Sequence, residues 1–173
     1  LLYSGQTEEA IIKFLTIRET LENNDLNAPQ SFKSTIEELL AISYIRLGEQ
    51  QNCLLNHSSA SCLIPIEGEG VHTLTEGSEK AIEAYTEILE KRPDDMASRW
   101  LLNVAYMTLG KYPNEVPEKW LIPKDVFNSD YDIGRFHDIA PDLGLAEMGL
   151  SGGSITEDFN NDGHIDIMAS SWG

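Results

Sequence analysis

The stretch Asp158-Phe159-Asn160-Asn161-Asp162-Gly163-His164-Ile165-Asp166 reads D-x-N-x-D-G-x-x-D. Oxygen-bearing side chains fall at loop positions one, three, five and nine, with glycine at six. Alternate residues of a curling loop point inward, and calcium, a hard cation, takes about six to eight oxygens. The spacing therefore marks Asp158, Asn160, Asp162 and Asp166 as candidate calcium ligands. The carbonyl of His164, at position seven, could add one more oxygen. Gly163 permits a backbone turn that a residue with a Cβ would resist. Three carboxylates this close repel one another unless a cation sits among them. An EF-hand would place a bidentate glutamate at position twelve and continue as a helix. Here position twelve is Ala169, and Ile165-Asp166-Ile167-Met168-Ala169 alternates as a strand does. The loop is expected to join two strands. The plainer alternative is an Asx-rich hairpin turn that binds nothing.

A second group of reactive residues lies in Asn52 to His72, reading NCLLNHSSASCLIPIEGEGVH. His57 and His72 could ligate copper, iron or a haem iron, with or without the sulfurs of Cys53 and Cys62. There is no C-x-x-C-H for covalent haem and no paired C-x-x-C knuckle for zinc. The alternative is a loop closed by a Cys53–Cys62 disulfide, its histidines making ordinary hydrogen bonds. Two reduced thiols would also fit the sequence. Asn56-His57-Ser58 is a formal glycosylation sequon. Hydrolase chemistry finds little support: no G-x-S-x-G elbow occurs. Gly152-Gly153 precede a strand, whereas a phosphate-cradling loop would open a helix. His137 and His164 read as surface or packing side chains.

The elements that would carry these residues are of two kinds. Towards the C-terminus, Arg135-Phe136-His137-Asp138-Ile139-Ala140, Gly144-Leu145, Ser151-Gly152-Gly153-Ser154-Ile155, the Asp loop and Ile165-Asp166-Ile167 follow one another. Together they resemble the first blade of an FG-GAP/VCBS β-propeller, most similar to secreted bacterial proteins related to cartilage acidic protein and UnbV. In that family the D-x-D/N-x-D-G-x-x-D loop holds calcium between two strands of a blade. Asn160 departs from it where many members carry Asp, which lowers the charge of the site. A propeller needs several blades, so the resemblance implies that residues 135–173 belong to a longer chain or a larger assembly.

Residues 5–22 carry Ala10, Ile11, Phe14 and Ile17 at helical spacing. The signature returns at Ala81, Ile82, Tyr85, Ile88 and Leu89, ending at Pro93. Between them Leu39, Leu40, Ala41, Tyr44 and Leu47 form another pattern, expected to close at Gly48, which recurs as Trp100, Leu102, Ala105, Tyr106 and Leu109, closing at Gly110. These segments resemble the paired helices of tetratricopeptide (TPR) repeats. The resemblance spans residues 1–110, interrupted by an insert at 49–76. Tyr112-Pro113-Asn114-Glu115-Val116-Pro117 cannot continue helically. Residues 111–134 then read as a Pro-rich linker whose Trp120, Leu121, Ile122 and Pro123 pack along the join between the two parts.

The expected fold is thus α + β and multidomain: TPR-like helical repeats, then the start of a calcium-binding propeller. The net charge is −17 over 173 residues. Nucleic-acid binders neutralise phosphate with basic patches, and none is present; anionic membrane surfaces are disfavoured for the same reason. No apolar run is long enough to span a bilayer. The resemblances imply a secreted, cell-surface or periplasmic interaction module, with a protein or peptide ligand in the helical groove. The rival is a metal-dependent redox protein or enzyme built on Cys53, His57, Cys62 and His72.

Overall fold

The computed structural model describes residues 1–23, 28–56, 58, 60–61, 63–128, 130–131, 134, 136–146 and 151–171. It divides into two compact units, Leu1–Ile133 and Gly134–Gly173. The first is helical; the second holds one two-stranded antiparallel sheet, so the class is α + β.

Among the described residues, four α-helices form the first unit: α1 (Thr7–Asn23), α2 (Gln30–Asn56), α3 (Glu76–Lys91) and α4 (Met96–Thr108). Each packs against the next in sequence. Helix α3 shows how sequence makes such an element. Glu76 and Glu79 sit in its first turn and Lys91 in its last, matching charge to the helix dipole at both ends. Ala81, Tyr85, Ile88 and Leu89 recur on one face and are buried. Two residues after Pro93, Asp95 starts α4, its carboxylate accepting the Ser98 N–H at 3.0 Å. The core joins Ala41 and Ile45 of α2, the buried face of α3, and Leu102 and Ala105 of α4. Lys91–Glu37 and Arg92–Glu38 ion pairs bridge α3 to α2 at the surface; exposed pairs of this kind contribute well under about 1 kcal/mol each.

Helix α2 does not close at Gly48. It runs eight residues further to Asn56, absorbing the start of the stretch read as an insert. Gly48 serves packing instead of termination. A Cβ on Gly77 of α3 would lie 2.5 Å from the Gly48 nitrogen, 2.8 Å from its Cα and 2.8 Å from the Tyr44 carbonyl oxygen. The two helices therefore touch backbone to backbone at a glycine pair. Two glycines there permit the crossing, and a helix long enough to continue past it does so.

The stretch after α4 is folded onto the helical unit and is not a free linker. Trp120 is buried in the main core, and Tyr112 and Val116 join Ile66 and Met107 in a second cluster. Two side chains of α4 fasten this segment. Arg99 donates to the carbonyls of Trp120 (3.1 Å) and Leu121 (2.5 Å). Asn103 donates to Trp120 O at 2.9 Å and accepts the Ile122 N–H at 3.0 Å. The Tyr112 hydroxyl donates to Ile122 O at 2.6 Å. The apolar residues that sequence placed in the linker do pack, and α4 is what they pack on.

In the second unit, β1 (Ser151–Glu157) pairs antiparallel with β2 (Asp166–Ser171). Ile155 faces Met168, Thr156 faces Ile167 and Glu157 faces Asp166, with an irregularity between Ser151 and Ser154. The eight residues 158–165 connect the strands. Large apolar side chains stay in solvent on both faces: Ile155 is 57% exposed, Ile167 54% and Met168 55%.

Candidate metal site

The loop from Asp158 to Asp166 folds on its own side-chain-to-backbone hydrogen bonds. The two oxygens of Asp158 accept the N–H groups of Asp162 (3.0 Å) and Gly163 (2.9 Å). Asn160 Oδ1 also accepts the Asp162 N–H at 3.0 Å, and its amide donates to Asp162 Oδ2 at 3.0 Å. Asp162 Oδ1 accepts the His164 N–H at 2.9 Å, and Asp166 Oδ2 accepts the Phe159 N–H at 3.1 Å. The chain turns twice through the left-handed region, at Asn161 (φ 57°) and Gly163 (φ 86°). Asn tolerates that region better than most residues and Gly enters it freely. Asp158 is the hub: it holds two consecutive amides, four and five residues ahead, and so sets the curl of the loop.

The structure thus brings Asp158, Asn160, Asp162 and Asp166 into one hydrogen-bonded loop, with the His164 N–H bound to Asp162. The donor set is all oxygen, which suits a hard cation. Each carboxylate oxygen that accepts one N–H keeps a second lone pair. Among the described residues, however, no group of three or more His, Cys, Asp or Glu is gathered at metal-holding distance. Backbone N–H groups occupy the carboxylates, and the remaining contributors are an amide and a carbonyl. The residues fit calcium in type and order; closing on an ion requires the carboxylates to converge.

The second candidate group is only partly described. His57 and Cys62, and the side chain of Cys53, lie outside the described residues, and with them the proposed disulfide. His72 is placed clearly. Its backbone N–H donates to Thr108 O at 2.8 Å, satisfying a carbonyl at the end of α4. Its Nδ1 lies 3.1 Å from Ser78 Oγ, and Ser78 Oγ lies 2.8 Å from Thr108 Oγ1. Burial lowers the pKa of His72 below the usual imidazole value. Ser78 is buried, so this His–Ser contact ties the loop to α3 and α4 and offers no nucleophile to solvent.

Sequence reading passed over Asn52. It is buried on α2, and one side chain holds the returning loop. Its amide donates to Gly48 O (2.8 Å) and Leu74 O (2.9 Å), while its Oδ1 accepts the N–H groups of Thr73 (2.8 Å) and Leu74 (2.9 Å). No helix of the described residues is long and apolar enough to cross a membrane.

Fold and site together define a four-helix unit followed by a β-hairpin with an oxygen-lined loop. No protein-family model matches the chain, and neither a curated protein nor a solved structure is significantly similar to it.

Proposed function

We propose that the chain is a secreted or surface-exposed interaction module, with TPR-like helices offering a groove to a peptide or protein segment and a calcium-steadied hairpin that begins a propeller blade. One observation carries the calcium part. Asp158, Asn160 and Asp162 already organise the loop, and their oxygens alternate along it with Gly163 at the turn. Calcium would be held by Asp158, Asn160, Asp162 and Asp166 with the His164 carbonyl; bound there, it supplies charge compensation and rigidity, not chemistry. Helices packed on their sequence neighbours support the groove, since stacked helix pairs present a continuous concave face. The net charge of −17 favours peptides carrying basic residues.

Isothermal calorimetry of the intact chain tests the calcium part. Binding is expected in the range of about 10⁻⁴–10⁻³ M, typical of extracellular modules, and Asp162→Ala should weaken it by tenfold or more, roughly the loss of one charged ligand. No heat from the wild-type protein would remove calcium from the proposal. Selection from a displayed peptide library tests the groove independently. Basic peptides should be enriched and should bind the purified chain more weakly as salt rises; failure to enrich any sequence would count against the helical unit as a peptide reader.

A further inference from the structure

The loop contains an Asp-Gly pair, Asp162-Gly163, flanked by Asn160 and Asn161. This dipeptide has a chemistry of its own. The nitrogen of Gly163, with no Cβ beside it to hinder approach, can attack Cγ of Asp162. An N–Cγ bond forms, the amide proton is lost and water leaves with one carboxyl oxygen, giving a five-membered succinimide. Water then opens the ring. Cleaving N–Cγ restores aspartate; cleaving the bond between nitrogen and the Asp162 main-chain carbonyl carbon gives isoaspartate, with the backbone rerouted through the side chain. One water is released and one consumed, and no oxidant or cofactor enters.

The structure holds both reacting atoms away from this step. The Gly163 N–H points to Asp158 Oδ2 at 2.9 Å, so the nitrogen is bonded elsewhere. Both Asp162 oxygens are occupied, by the His164 N–H and the Asn160 amide, which holds Cγ out of line with the Gly163 nitrogen's approach. The left-handed φ of Gly163 is fixed by the same bonds. We infer that Asp162–Gly163 is a site of spontaneous isoaspartate formation and that Asp158 is the residue that keeps it closed.

The inference is independent of calcium, and the experiment removes calcium from it. The full chain is incubated for weeks at mildly acidic pH with a chelator, and isoaspartate at 162 is counted by fragmentation mass spectrometry. Wild type, Asp158→Asn and Ser170→Ala are compared with wild type unfolded in urea. Ser170 ties the hairpin through Gly153 and touches none of the loop bonds. Folded wild type and Ser170→Ala should isomerise more slowly than the unfolded chain by on the order of tenfold, the weight of one charge-assisted hydrogen bond. Asp158→Asn should approach the unfolded rate. Equal rates for wild type and Asp158→Asn would overturn the assignment. A slower rate in Asp158→Asn would also overturn it, making Asp158 the base that takes the Gly163 proton. A rise in Ser170→Ala as large as in Asp158→Asn would place the protection in general hairpin order.

Discussion

Single side chains with long reach do much of the positioning in the helical unit. Asn52 bonds two carbonyls and two N–H groups through one buried side chain. Unpaired buried polar groups cost about 1–3 kcal/mol each, so Asn52→Ala should lower stability by roughly 2–4 kcal/mol. Urea denaturation checks it; a midpoint within error of wild type would mean the loop holds without its anchor. His72 gives a pH dependence of definite sign. Its pKa is lower folded than unfolded because burial disfavours the cation. The stability it contributes is complete above the unfolded imidazole value and is lost as pH falls through the folded one. The urea midpoint should therefore drop on acidification below about pH 6.5, and His72→Asn should flatten that part of the profile. An identical slope in the variant would assign the loss to carboxylates. At this scale the sequence was legible where the bonding is local. The Asp loop satisfies itself within nine residues, so spacing alone revealed it. Asn52, Arg99 and Asn103 bond to backbone about twenty residues away, and nothing periodic in the sequence points to such partners.

Helices were legible by their apolar period, and their ends less so. Ala10, Ile11, Ala81, Tyr85, Ile88, Leu89, Leu102 and Ala105 are buried as their spacing implies. Gly48 misled because glycine has two uses, ending a helix and letting another backbone come near. Only the second applies, and that depends on Gly77, which lies in another helix. Gly77→Ala tests it with the sign reversed from the ordinary. In an unobstructed helix interior the change would stabilise by about 0.5–1 kcal/mol. Here the added carbon would meet α2 backbone at 2.5–2.8 Å, and backbone cannot rotate away. A loss of about 3 kcal/mol or more is expected, as for severe overpacking, and a stabilised Gly77→Ala variant would show that α2 and α3 can separate at no penalty.

At the scale of the whole molecule the two units differ in what they bury. The helical unit has a closed core; the hairpin has two strands and apolar side chains in water on both faces. An isolated two-stranded hairpin is marginal in water. Hydrogen exchange should therefore find β1 and β2 amides exchanging orders of magnitude faster than those of α3, with the α3 amides opening only on global unfolding. Equal protection in both would show that the hairpin is stabilised by more than its own ladder. The division into a helical and a strand-bearing part was readable from the switch of period. That the apolar residues of 111–128 pack was readable too; that α4 is what they pack on was not, because Arg99 and Asn103 reach backbone about twenty residues further on.

The fastening of Trp120 by Arg99 and Asn103 also bears on how the chain is made. Helices α1 to α4 contact their sequence neighbours, so each can settle on the last as it leaves the ribosome. The core they enclose stays open on one side until Trp120 follows, fifteen residues after Ala105, and α4 carries two polar side chains whose partners have not yet emerged. A nascent chain that has emerged only as far as Gly110 would present Met107 and Leu102 to whatever surrounds it, and the pace at which Tyr112 to Ile122 follow sets how long that exposure lasts.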